Sequence, residues 1–592
     1  MPRCPLFNQN TTETLVWTYP QESAVIYEAS TFVLGSTSKA VEALTLNGND
    51  VSLHLHDEEN AFAQVVPLNE GENILELVTN TGECLIRKVI RQIPWRFSED
   101  TKVPLFAVLP KPSPAPRYLL GQSFPVELRA MTHIQQVWLN LTNEAGELID
   151  EVPLRCDDAS LLNPKSLTHG KQISIFGELH YNETHPPIDK SIKIFHGVVA
   201  LTSPLLDHLP DSHLLRLQYK VLDDAGQVGM VNLGQSISLW QFQRTVELTA
   251  SCQSFYAGNA QNSKRLTLLP PLHSFLPVVA LLDLDAFLIQ QNDASLYLLK
   301  GGKPHVQAGK GMPAVLDALS LEETQDSITT TFQLTHPCGV ILLPDSDGLT
   351  VSMSPIEAGL NHQRYHGSAL RWTFKSQREG LSLSLPLNWA PFKGVESHWK
   401  EKGLELSLLK LPADKKTWRI LLDPGHGGQE DGTRALNNTL EKAWTLELAK
   451  RVKLLLQEAG VEQVFFTRDE DVTLSLLERQ HKADDCHADL CVSLHANALP
   501  DGEDPTVRKG VSVHTYTPWS HAVGDALLNS LATVQANDGR YFSNYAMTRL
   551  PRCVSVLVEY GYFIHPEDYV GLLDEEHLWR LAHATVDGIL HA

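Results

Sequence analysis

Three side chains of this sequence have the types and the settings of a metal-ligand set. The first is a histidine in the run Ile420-Leu421-Leu422-Asp423-Pro424-Gly425-His426-Gly427-Gly428. An apolar stretch stops at Asp-Pro-Gly and then presents an imidazole among glycines. That is how a strand ends when it exposes a side chain at its carboxyl end, where open α/β sheets place their ligands. The second is Glu441, which opens a helical pattern. The third is His495, which ends the apolar run Leu490-Cys491-Val492-Ser493-Leu494. Two imidazoles and a carboxylate form a catalytic zinc set, with a fourth position left to water.

Each residue also has a plainer reading. His426 alone could be a surface or capping residue of a glycine turn. In Thr439-Leu440-Glu441-Lys442, Glu441 alone reads as part of a capped helix start, where a carboxylate suits the helix dipole. His495 alone could be a satisfied histidine at a strand end. Glu559 is harder to dismiss. It ends Ser555-Val556-Leu557-Val558, an apolar run that should be buried. A lone charge there is costly and needs a partner or a task. The conjunction of four such residues, three at strand ends and one at a helix start, argues for a site.

The elements that must position them follow from the pattern after Lys416. Short apolar strands alternate with long helical stripes. Leu440, Trp444, Leu448, Val452 and Leu455 form one stripe. Val464 to Thr467, Leu490 to Leu494, Val511 to Tyr516 and Val554 to Val558 read as strands. Leu474 to Cys486 and His577 to Ile589 read as helices. Such alternation predicts an α/β domain with a mainly parallel sheet covered on both faces.

Residues 417–592 resemble the zinc-dependent N-acetylmuramoyl-L-alanine amidase family, in its Amidase_3 form. The matching stretches are Asp423 to Gly428, Leu440-Glu441-Lys442, Thr467-Arg468 with Asp471, Leu476 with Arg479, and Ala488-Asp489-Leu490. Ser493-Leu494-His495-Ala496-Asn497 and Val556 to Tyr562 follow, with Pro566-Glu567-Asp568 behind them. The resemblance implies one zinc ion held by His426, Glu441 and His495, with Glu559 as the catalytic glutamate. It places Asn497, Arg468 and Arg479 on motif positions. The arginines suit fold support through planar multi-donor contacts, and Asn497 is divided between a substrate contact and a turn role. It further implies hydrolysis of the amide joining N-acetylmuramic acid to L-alanine in peptidoglycan. The rival readings are a zinc peptidase acting within the stem peptide and a non-catalytic cell-wall-binding protein. The chain departs from the family between Asp431 and Leu440, which lacks a second glycine cluster, and at Tyr560 and Tyr562. Asn537 to Arg552 is short, without a long insertion for an autoinhibitory helix.

The remainder of the 592 residues is β-patterned. Residues 17–95 read as an immunoglobulin-like β domain, with Asn47-Gly48 as a hairpin turn. Residues 100–248, after a Pro-punctuated linker, read as a second β-rich domain, immunoglobulin-like with an insertion. Residues 249–412 read as a β-rich region of no assigned family, and 413–592 as the catalytic domain. The expected architecture is therefore multidomain, with β-rich N-terminal regions serving as spacers or as surfaces for cell-wall and envelope-protein partners.

A net charge of -22 argues against nucleic acid and against docking on anionic lipid. The longest apolar run, Phe275 to Ile289, is broken by Pro277, Asp283 and Asp285, so no transmembrane segment is expected. The start, Met1 to Phe7, has no signal-peptide core. The function points to the cell envelope, while the sequence leaves a cytoplasmic location open. Eight scattered cysteines make neither a disulfide framework nor a zinc ribbon. Gly309 to Ala314 fits a dinucleotide pattern only on paper, since the βαβ context is missing. His481, His487, His514 and His565 flank the site region and read as surface or supporting residues.

Overall fold

The computed structural model describes residues 14–91 (without 27, 57 and 58), a set of strands between 105 and 308, residues 313–500 (without 367, 378, 379 and 402) and residues 503–592. Residues 309–312 lie outside this description, so most of the Gly309 to Ala314 pattern does too.

The chain begins as two sheets around one core. One pairs the strands Leu15–Tyr19, Ser30–Ser38, Glu59–Pro67 and His54–His56; the other pairs Ala24–Ile26, Cys84–Arg91, Gly71–Thr79, Leu44–Leu46 and Asn49–Val51. Trp17, Val33, Phe62, Leu75, Leu77 and Val89 fill the space between them. Asn47 and Gly48 both have positive φ, as a two-residue hairpin between Leu46 and Asn49 requires. Most strands between Leu105 and Ala308 join in one extended sheet, with Ile173–Ser174 and Gly177–Glu178 paired apart; Arg117–Leu119 and Arg244–Glu247 both pair with Phe275–Leu281. A second two-sheet unit starts at Ala314 and ends at Lys410.

Within the C-terminal domain, elements are numbered from one. Its strands are β1 (Ile420–Pro424), β2 (Val464–Phe466), β3 (Leu490–Asn497), β4 (Val511–Thr515), β5 (Asn537–Phe542) and β6 (Val554–Tyr562). Its helices are α1 (Glu441–Glu458), α2 (Leu476–Asp485), α3 (His521–Leu531), α4 (Pro566–Leu573) and α5 (Glu575–His591). The sheet order is β2-β1-β3-β6-β4-β5. Strands β2, β1, β3 and β6 are parallel, β4 is antiparallel to β6, and β5 runs with β4.

The sheet is mixed: four of its five strand pairings are parallel, and the β4–β6 pairing is antiparallel. A parallel neighbour needs a crossover, usually a helix. α1 links β1 to β2, α2 links β2 to β3 and α3 links β4 to β5. The connections from β3 to β4 and from β5 to β6 contain no helix among their described residues, so the chain reverses at each.

The two faces are buried unequally. Ile420, Leu422, Leu490, Val492, Val556 and Val558 enter a large core with Trp444, Leu448 and Val452 of α1 and Leu578, Leu581 and Ile589 of α5. The 3.6-residue stripe read along α1 is the buried one. Leu421 and Cys491 point the other way, into a small cluster with Ala483 of α2 and with Met547, Leu550 and Cys553. By the two-residue period of a strand, Ser493 and His495 share the Cys491 face. The large core also runs into the preceding β unit. Trp389 meets Trp519 with ring centroids 5.2 Å apart, and Val395 N donates to Pro551 O at 2.8 Å.

Candidate metal centre

Strands β1, β3 and β6 and helix α1 bring His426, His495, Glu559 and Glu441 to one place. β1 ends at Pro424, and the chain turns so that His426 takes φ 59°, a left-handed conformation unusual for a residue with a Cβ. Two arginines hold that turn. Arg479 donates to Pro424 O at 2.9 Å and to His426 O at 2.6 Å. Arg468 donates to Pro424 O at 3.0 Å, to Gly425 O at 2.8 Å and to Lys442 O at 2.8 Å. They therefore stitch the β1 turn to the start of α1, the supporting task expected of them.

Glu441 is the first residue of α1 and is buried. The capped start read from Thr439 to Lys442 has no side-chain cap: Leu440 is the N-cap and makes no side-chain cap bond. The Glu441 carboxylate is held instead. Oε1 accepts from Ala496 N at 3.1 Å and lies 3.0 Å from His495 Nδ1. Oε2 accepts from Thr433 N at 2.8 Å and lies 3.2 Å from His426 Nε2. Burial pushes its pKa up, but the two imidazoles hold it well below the usual carboxylate range. The rings of His426 and His495 are 5.1 Å apart and nearly perpendicular. Ligating atoms of His426, Glu441 and His495 all lie within 4.8 Å of one another, the one such group of three among the described residues.

The surroundings fit a small cation. A Cβ on Gly425 would stand 2.2 Å from the His495 ring, and one on Gly432 would stand 2.5 Å from Glu441 Oε2. Both positions must stay bare for the ligands to converge. Glu559 pairs in register with His495 across β3 and β6. Its Oε2 is shut off from solvent and has no hydrogen-bond partner among the described residues. Burial pushes its pKa up to about 7, His495 opposes that and Glu441 adds to it. An unsatisfied carboxylate oxygen beside three converging donors is what an arriving cation with its water would satisfy.

The segment from Asp431 to Leu440 has its left-handed positions at Gly432 and Asn438, φ 71° and 68°, so an asparagine takes one of the two. Asn497 Oδ1 accepts from Ala498 N at 2.8 Å, a turn contact. None of His481, His487, His514 and His565 joins the group. His565 caps α4 by accepting from Glu567 N at 3.2 Å, and His514 lies 2.8 Å from Ser543 Oγ.

Sequence reasoning assigned no role to Asp423. It is buried and accepts from Thr467 Oγ1 at 2.7 Å, Ser493 Oγ at 2.6 Å and Arg479 at 2.7 Å. Burial pushes its pKa up; Arg479, Ser493 and Thr467 outweigh that, and the net shift is down. The signal was present, since Asp423 ends an apolar run just as Glu559 does. Arg479→Met is expected to destabilise the fold by roughly 3–5 kcal/mol, because it leaves a buried carboxylate without its counter-charge. The depressed pKa means this pair contributes at neutral pH. The penalty should therefore narrow as pH falls and Asp423 takes up a proton. Urea midpoints of both proteins across pH decide this, and an unchanged midpoint at pH 7 would refute it.

Residues 420–591 match a family model described as N-acetylmuramoyl-L-alanine amidase. A probable cell wall amidase, LytH, of Staphylococcus epidermidis is 32% identical over 226 residues, which cover 36% of this chain and 72% of the relative. Its Staphylococcus aureus counterpart is 35% identical over 189 residues, and there the chain spans 59% of the relative's length. Among solved structures, the N-acetylmuramoyl-L-alanine amidase AmiC2 of Nostoc punctiforme is 32% identical, covering 30% of this chain and 96% of that one, with a TM-score of 0.28.

Proposed function

This chain belongs to the N-acetylmuramoyl-L-alanine amidase family, and from that membership we propose that it cleaves the amide between N-acetylmuramic acid and L-alanine in peptidoglycan. His426, Glu441 and His495 would hold one zinc ion. When bound, the zinc supplies a Lewis acid for the scissile carbonyl and lowers the pKa of water to about 7.

The chain's own residues do the remaining work. Glu441 keeps its carboxylate ionised between the two imidazoles, and Ala496 N and Thr433 N fix its orientation. Glu559 takes the proton of the attacking water and returns it to the amine nitrogen as the C–N bond breaks. An amine leaves poorly as an anion, so that return of the proton is needed. The products are a lactyl carboxylate and a stem peptide with a free L-alanine amino group. Glycines 425, 427 and 428 let the turn after β1 pack closely: a Cβ on them would stand 2.2 Å from the His495 ring, 2.3 Å from Val472 O and 2.2 Å from Thr473 Oγ1. Asn497 stands at the end of β3, where it can contact substrate.

The single observation behind this reading is the buried, unpartnered Glu559 Oε2 beside the His-Glu-His group. A chain kept only as a binding adaptor has no reason to retain it. Residues 17–95 and 100–248 are read as immunoglobulin-like, all three β-rich regions as positioning modules, and the place of action as the cell envelope. No helix among the described residues is long and apolar enough to cross a membrane.

Purified sacculi treated with the protein should release intact stem peptides and leave unbroken glycan strands. Mass spectrometry of the fragments decides the bond. Trimmed peptides with muramic acid still carrying L-alanine would make the protein a peptidase.

A further inference from the structure

The segment leading into Glu441 is a small hairpin. Arg434 and Leu440 form an isolated antiparallel bridge. Ala435 N donates to Thr439 O at 2.9 Å, and Asn438 N to Ala435 O at 2.9 Å. At its base, Glu441 N donates to Thr433 O at 3.0 Å and Thr433 N donates back to Glu441 Oε2 at 2.8 Å. One hairpin thus sets both the backbone and the carboxylate of Glu441.

At its tip Thr439 N donates to Asn437 Oδ1 at 3.1 Å, but the hold is incomplete. Asn438 is left-handed, and Asn437 Nδ2 and Thr439 Oγ1 are buried with no partner among the described residues. Yet Ala435 and Leu436 are wholly buried. Part of the cover comes from the N-terminal β unit. Thr18, in the strand Leu15–Tyr19, donates from Oγ1 to Leu436 O at 2.5 Å, and the contact is buried. Phe32, Leu34, Ala61 and Ala63 belong to the same buried cluster as Ala435 and Leu436. Val33 and Phe62, the residues between them, face the N-terminal unit's own core. That sheet is therefore covered on both faces. An antiparallel sheet in a free spacer would show one face to water. A second grip lies elsewhere, where the Tyr569 hydroxyl of α4 meets Glu59.

We propose that Thr18 is a positioning residue: its bond to Leu436 O lets the N-terminal β unit clamp the hairpin that aims the Glu441 carboxylate. The metal centre is completed by a distant part of the chain. The effect on turnover rests on the function proposed above; the clamp itself does not.

The full chain carrying Thr18→Val, Thr18→Ser or Tyr569→Phe tests this. Amide hydrogen exchange over Thr433–Leu440, zinc loss to a chelator, and kcat and KM on muropeptides are read. Valine keeps the shape and β-propensity but leaves the buried Leu436 carbonyl unpaired. Hairpin exchange and the rate of zinc loss should rise about ten-fold. The variant should lower kcat and leave KM unchanged, since Thr18 touches no substrate. Thr18→Ser should restore all of these values. Tyr569→Phe loosens the other grip and should leave hairpin exchange as in the wild type. In the wild type itself, hairpin amides should lose protection over the same denaturant range as Leu15–Tyr19. A folded Thr18→Val protein with unchanged exchange and zinc loss overturns the proposal. So do an equal effect of Tyr569→Phe and a wild-type hairpin that opens before the strand does. If the wild type binds no zinc and cleaves nothing, the functional reading fails, and the exchange data still decide the clamp.

Discussion

Glu559→Gln is expected to keep zinc and fold and to lose roughly 10²–10⁴-fold in turnover, the usual contribution of a positioned general base. Glutamine fills the same volume but accepts no proton at neutral pH. The variant separates catalysis from architecture because of where Glu559 sits. Its Oε2 is buried and unpartnered, so the wild-type charge is a cost to the fold. Removing that charge should leave the melting temperature unchanged or slightly higher while activity collapses. A structural glutamate would give the opposite pairing, with falling stability and surviving activity. Single-turnover rates on soluble muropeptides, thermal melts and zinc content together make the measurement. Near-wild-type turnover in a folded, zinc-loaded variant would remove Glu559 from the mechanism.

The second large effect is expected on the metal itself. His426→Gly and His495→Ala should each lose zinc and drop hydrolysis toward background. Outer-shell changes at metal sites typically cost ~10–100-fold, and loss of a ligand should exceed that. Glycine is the informative choice at 426, because that position has φ 59° and glycine takes it without strain. The turn should survive, since Arg479 and Arg468 hold it through backbone carbonyls. Glu441 would keep its bonds from Ala496 N and Thr433 N in both variants. Metal analysis of folded protein is the check. Undiminished zinc in folded His426→Gly would refute the ligand assignment.

The residues of the His-Glu-His group were legible because each is marked within a few neighbours along the chain. An apolar run that stops at a glycine turn signals a strand end, and ligands collect at strand ends. The same local logic identified the α1 stripe and most strands of the C-terminal domain. It missed β5, whose residues Asn537 to Phe542 have little apolar pattern and none of which is buried. It assigned no direction to β4, which runs antiparallel to β6, since strand direction depends on whether a helix intervenes and where the connection returns. Thr439 to Lys442 read as a capped helix start, yet Glu441 is oriented by the hairpin fold of residues 433–440 rather than by a cap at Leu440.

By itself, the sequence determined the chemistry available to this protein: two imidazoles and two carboxylates, each at the end or the start of a regular element. Those features are set by contiguous windows of two-residue and 3.6-residue periodicity, so they can be read without a partner. Only the tertiary structure decided which groups meet. Arg479 neutralises Asp423 from 56 positions away, and Thr18 reaches Leu436 across 418. The physical reason is that a buried polar atom takes whatever partner packing brings within reach. No local pattern records a contact made by folding distant segments onto one another.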